Sequence, residues 1–201
     1  MQSDVQFDQQ ETELMFNTSV FPLKRQINRK LYVLFEQIKN ALKDTPIHQN
    51  FPFPAGVDNL TGKISQGENH QEFPWVMLDF PKLFTPERIF AYRTLFWYGR
   101  GFSNALLIGG NVCDQFAAVI LKNRKSLSGK DIYFSFAPDA WDHNISSEHA
   151  QPVETVSDEQ VMAHIQSTGY IKLSCGYTSA DAGEIMQQCV ETYDLFLKAL
   201  L

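Results

Sequence analysis

Residues 88–98 read RIFAYRTLFWY, and splitting them by alternation leaves no polar face. Phe90, Tyr92, Thr94, Phe96 and Tyr98 fall on one side of a strand, while Ile89, Ala91, Arg93, Leu95 and Trp97 fall on the other. Such a strand sits centrally in a sheet. It needs helices over one face and a second layer, a ligand or a second subunit over the other.

The surrounding stretch, 73–110, carries ten of the 26 aromatic residues and embeds Asp79, Arg93 and Arg100 among apolar side chains. Residues 75–80 alternate as a second strand, with Val76, Leu78 and Phe80 on one face and Trp75, Met77 and Asp79 on the other. Pro81 and Pro86 are expected to bracket a turn, and Gly99-Arg100-Gly101 to reverse the chain into a strand over 102–108. Charges inside apolar strands need partners, so Asp79 and Arg93 are read together. They form either a structural ion pair or a site in which Arg93 receives an anion or carbonyl, Asp79 orients it, and Trp75, Trp97 and Tyr92 wall it. Arg100 would supply a second, more mobile cation.

Elsewhere the chain supplies helices. Residues 1–18 are polar and form a loose arm whose anchors would be Phe7 and the Leu14-Met15-Phe16 triplet; residues 19–201 read as a single α+β domain. From Pro22 to Asp44, Leu23, Ile27, Leu31, Leu34, Phe35, Ile38 and Leu42 trace one helical stripe. Lys24, Arg25, Arg29 and Lys30 crowd its N-terminus, where the helix dipole prefers anions, so acidic neighbours or an anionic partner would be favourable. A long connection over 46–67 precedes the aromatic stretch. A helix capped by Asn111, a strand over 131–136 and a loop over 138–156 follow it. A Ser157/Gln160 capping box, a strand over 170–175 and a helix over 180–200 complete the order. The expected fold class is α+β: a mainly antiparallel sheet of about five to six strands with helices packed largely on one face.

Composition excludes several functions. A net charge of -6 and an N-terminus without a positive and apolar leader argue against nucleic acid and secretion, and no run is long enough for a membrane span. A cytoplasmic location is expected. Cys113, Cys175 and Cys189 lack any paired spacing and read as reduced, buried thiols. Gly109-Gly110-Asn111 matches no phosphate-loop pattern, and a tight turn explains it. Asp142, His143 and His149 are the only grouped residues with metal-ligand chemistry, yet their spacing fits no metal motif, so neither metal nor cofactor is expected. No nucleophile elbow occurs.

PWVMLDFP (74–81) and FAYRTLFWYG (90–99) resemble segments of an uncharacterised family of bacterial proteins, in which an Asp-aromatic-Pro ends one strand and an Arg-Thr pair precedes aromatics in the next. The resemblance implies no activity and favours Asp79, Arg93 and Trp97 as a unit. The leading expectation is a non-catalytic domain that binds a small ligand or a protein partner, a homodimer included, on an aromatic sheet face. The alternative is an enzyme acting on a small anionic substrate bound by Arg93.

Overall fold

The computed structural model describes residues 5–146 and 148–201. One open antiparallel sheet contains β1 (Lys63–His70), β2 (Phe73–Thr85), β3 (Arg88–Trp97), β4 (Gly101–Gly110), β5 (Tyr133–Ser135), β6 (Ala150–Pro152) and β7 (Tyr170–Tyr177), in the order β1-β2-β3-β4-β7-β5-β6. Around it lie α1 (Gln9–Met15), α2 (Val20–Lys43), α3 (Pro46–Asn50), α4 (Cys113–Asn123), α5 (Asp158–Thr168) and α6 (Ala182–Lys198). This is the α+β architecture expected, with seven strands instead of five or six. The extra strand, β6, is only three residues long and carries too little alternation to be seen in sequence.

Helices cover one face. Val76, Leu78, Phe90, Tyr92, Phe102, Leu106, Ile108, Ile171 and Leu173 project from β2, β3, β4 and β7 into one core with Leu31, Phe35, Ile38 and Leu42 of α2, and Ile185, Tyr193 and Phe196 of α6. Each such side chain, fully buried, contributes about 1.5–3 kcal/mol of transfer free energy. The α2 stripe explains why that helix docks where it does: Leu31, Leu34, Phe35, Ile38 and Leu42 are buried. Farther toward its N-terminus, Leu23 is 55% exposed, so the stripe overruns the body it packs on.

Several expected boundaries moved. β2 does not stop at Pro81; the ladder to β3 skips between Asp79 and Lys82, and the strand continues to Thr85. Proline lacks an N–H, and a bulge is where a strand can dispense with one. Asn111 does not cap α4: its backbone N–H donates to Glu87 O, and Val112 is the first flanking residue, without a side-chain cap. The Ser157/Gln160 capping box of α5 is present, and Gly169 ends that helix at φ 72°. The first four residues of the expected arm lie outside the described residues. Its remaining anchors do not dock: Phe7, Leu14, Met15 and Phe16 are all more than half exposed, from 54% to 75%. No helix among the described residues is long and apolar enough to cross a membrane.

Candidate functional site

The register of the ladders lays out the second face of the sheet row by row. Trp75 of β2 lies opposite Trp97 of β3, Met77 opposite Leu95, and Asp79 opposite Arg93. Going on across β4 and β7, Leu95 meets Ser103 and then Gly176, while Arg93 meets Ala105 and then Ser174. Large side chains therefore crowd β2 and β3, and small ones line β4 and β7. A step results, and the chain fills it with its own loop.

Residues 137–145 run along β7 as a strap. Tyr170 Oη donates to Ala137 O. Lys172 Nζ donates to the carbonyls of Ala140 (3.1 Å) and Asp142. Ile145 rests against Gly176, where a Cβ would collide with it. His143 lies between two cations, accepting from Arg93 Nη1 at 3.0 Å through Nε2, with Lys172 Nζ 3.3 Å from Nδ1. Trp141 covers the Arg93 guanidinium at 5.3 Å. This strap supplies a second layer over that face of β3.

Beneath it, Arg93 and Asp79 form a two-pronged ion pair, Nε to Oδ1 at 2.6 Å and Nη2 to Oδ2 at 3.0 Å, with 8% and 4% of the residues exposed. With Nη1 on His143, each guanidinium nitrogen is engaged. Of the two readings of the pair, the structural ion pair is the one formed, and Arg93 is an anchor for the strap and not an open anion receptor. Tyr92 is also corrected: it lies on the helix face, fully buried, and donates its hydroxyl to Cys189 O at 2.7 Å. It cannot wall a site on the other face. Trp75 and Trp97 do belong to that face, in a small cluster with Met77 and Leu95.

The strap's electrostatics are one-sided. Burial, reinforced by Lys172, Arg93 and His70, holds the His143 imidazole well below its ordinary 6.5. Burial and then Arg93 push Lys172 down to about 8. Because an arginine can only donate, its bond to Nε2 leaves the neutral ring's proton on Nδ1, so the Lys172 ammonium beside Nδ1 is a like-donor neighbour and not a second hydrogen bond. Lys172 and Arg93 flank the ring and face its two nitrogens, which disfavours a metal cation there. His149 lies beside Glu148 instead, and Asp142 Oδ1 caps Asn144 N; among the described residues no three metal-binding side chains converge. Gly109 and Gly110 hold no phosphate cradle either: Gly110 N–H donates to Gly169 O. Burial raises the three thiols, Cys113 and Cys189 to about 11, which leaves them protonated and unreactive.

Acid should therefore loosen the protein. Burial lowers His48, His143 and His164 below 6.5 in the folded chain. Above pH 6.5 both states hold them neutral; as pH falls below that, the unfolded chain takes protons that the folded chain refuses. Stability is lost progressively until each folded value is reached, at up to about 1.4 kcal/mol per pH unit per histidine. Urea midpoints measured from pH 8 to 5 are expected to fall below 6.5, and His143→Gln to flatten part of that slope. An unchanged slope in the variant would remove His143 from the account.

A cavity of about 190 Å³ opens where the strap ends. Trp97, Arg100, Ser103, His143, Asn144, Ile145, Ser146, Tyr177 and Thr178 line it, and among the described residues no carboxylate does. Arg100 stands at its edge with its guanidinium 5.7 Å from both the Phe73 and Trp97 rings, and pairs with no acid among the described residues. Of the cavity's lining, sequence reading found Trp97, Arg100 and, as a weak metal candidate, His143, but missed Ser103, Asn144, Ser146, Tyr177 and Thr178, and it missed Lys172 beneath the strap. Only Lys172 had a signal, as a lone cation in the apolar run 170–175.

No protein-family model matches the chain, and no curated protein or solved structure matches it either. Function therefore rests on the chemistry of this face.

Proposed function

We propose that the protein is a binding module for a small anionic ligand, held without chemical transformation in the cavity beside the strap. The observation that carries the reading is the cavity's charge balance. One arginine with no acid partner among the described residues, a histidine kept neutral, the hydroxyl residues Ser103, Ser146 and Thr178 and the Asn144 amide line a space with no carboxylate among its described lining residues. Hydroxyls and the Asn144 amide give donors for a carboxylate or phosphate oxygen, and Arg100 gives the charge. The volume corresponds to about six waters by their share of liquid volume, which suits a compact polar molecule and not a drug-sized one.

The alternative, catalysis on an anion bound by Arg93, loses its receptor to Asp79 and His143. Lys172, the one amine with a depressed value, spends its protons on strap carbonyls and does not line the cavity.

Calorimetric titration with a panel of short mono- and dicarboxylates and inorganic phosphate tests the reading. At least one is expected to bind, and Arg100→Ala to weaken it about 10- to 100-fold, the worth of a charge-assisted hydrogen bond. Gly176→Val, which drives Ile145 out of its seat, should reduce binding as well. Absence of binding across the panel, or indifference of the bound anion to Arg100→Ala, would overturn it.

A further inference from the structure

Among the described residues, the N-terminal arm and the start of α2 leave a set of apolar side chains exposed. Leu14, Met15, Phe16, Phe21 and Leu23 are each more than half exposed, and α1 buries no residue. Isolated exposed apolar residues are ordinary; a run of them on consecutive helical segments marks an interaction surface.

A receptor of matching chemistry lies on the same molecule. Between α2, the ends of β3 and β4, and the start of α6 is a groove of about 380 Å³, lined chiefly by Ile27, Leu31, Leu34, Phe96, Phe102 and Ile185, with Lys30 at its rim. Its wall continues the stripe on which Leu23 is left exposed, since 23, 27, 31 and 34 fall on one helical face.

Charge says what fills it. Residues 5–19 carry Asp8, Glu11 and Glu13 and no cation, whereas the first three turns of α2 carry Lys24, Arg25, Arg29 and Lys30 and no anion. Of those four, only Lys24 has an acidic partner among the described residues, Glu68. An acidic apolar arm and an apolar groove with Lys30 at its rim, on a helix whose far side carries Arg25 and Arg29, are complementary on one chain, which is the requirement of a two-fold interface. A single chain serves itself poorly. Seven helical residues folded back from the short 16–19 link would span about 10 Å, whereas Leu31 and Leu34 lie about 17–21 Å from the start of α2 at 1.5 Å per residue.

We infer that two copies of this chain associate by exchanging arms. Leu14, Met15 and Phe16 of each enter the groove at Leu31, Leu34 and Ile185 of the other, and Glu11 and Glu13 pair with the basic turns of α2. The surface is separate from the anion cavity, and the aromatic face on which self-association was first expected is already covered by the strap.

Sedimentation equilibrium of the full chain tests the assignment. The expected species has twice the 23.0 kDa chain mass and weakens as salt rises from 0.05 to about 0.5 M, where screening shortens to a few ångströms. Leu14→Asp with Phe16→Asp, both exposed and therefore harmless to the body, should raise the dissociation constant at least tenfold. Lys30→Glu should weaken it too. Mixing a Glu11→Lys/Glu13→Lys chain with an Arg29→Glu/Lys30→Glu chain should restore a mixed dimer that neither variant forms alone. A monomer at all concentrations overturns the inference, including a monomer whose arm is protected from proteolysis by its own groove. So does a dimer indifferent to these changes.

Discussion

Asp79→Ala should cost about 3–5 kcal/mol of folding stability, because it strands a guanidinium that is 8% exposed and removes the one carboxylate that is hydrogen-bonded to it among the described residues. For a domain of this size that corresponds to a fall of about 6–20 °C in Tm. The magnitude follows from the environment of the pair. Both carboxylate oxygens accept from Arg93, so the substitution leaves Nε and Nη2 without acceptors while Trp141 still shields them from water. His143, a neutral acceptor, cannot take up the charge. Removing both partners is a different experiment: Asp79→Leu with Arg93→Met deletes the buried charges together and should recover most of the loss, although it also releases His143. Differential scanning calorimetry of the single and double variants decides the matter. A single variant within about 1 kcal/mol of the parent would mean that water reaches Arg93 and that the strap is not closed.

The second large effect belongs to Trp97. Its ring is buried, packs with Met77, Leu95 and Trp75, lies 4.9 Å from the His70 ring, and donates Nε1–H to His70 O at 3.2 Å. It also forms a wall of the anion cavity and one of the two rings beside Arg100. Trp97→Ala should therefore cost about 3–5 kcal/mol and abolish anion binding at once. Trp97→Phe keeps most of the buried area and forfeits one hydrogen bond, so a loss nearer 1 kcal/mol is expected, with binding weakened and not lost. Guanidinium midpoints paired with titration separate these effects. If Trp97→Ala bound the anion as the parent does, the cavity would not be the site.

Much of this was legible beforehand for reasons of periodicity. Alternation placed Val76, Leu78 and Phe80 on one face of β2 and Trp75, Met77 and Asp79 on the other, and the ladders agree. The helical stripe of α2, the capping box at Ser157 and the stop at Gly169 were equally plain, because each depends on residues within one or two turns. Tyr92 shows the limit of a list that ignores parity. It shares a strand with Arg93 but not a face, and its hydroxyl ends on the α6 backbone.

By itself, then, the sequence determined the α+β class, the two-sided β3 and the need for something over its second face, since those follow from side-chain period and burial. It also determined that Asp79 and Arg93 had to be satisfied. Only the tertiary structure decided that they satisfy each other, because the pairing depends on a register set across a hairpin that holds the bulge after Asp79. The cover itself was equally invisible. Residues 137–145 have no repeat to read, and their place is set by contacts with Tyr170, Lys172 and Arg93, which lie 29–50 residues away along the chain. The anion cavity exists because that strap stops where Gly176 and Ser103 leave room, a coincidence of three strands that no local pattern encodes.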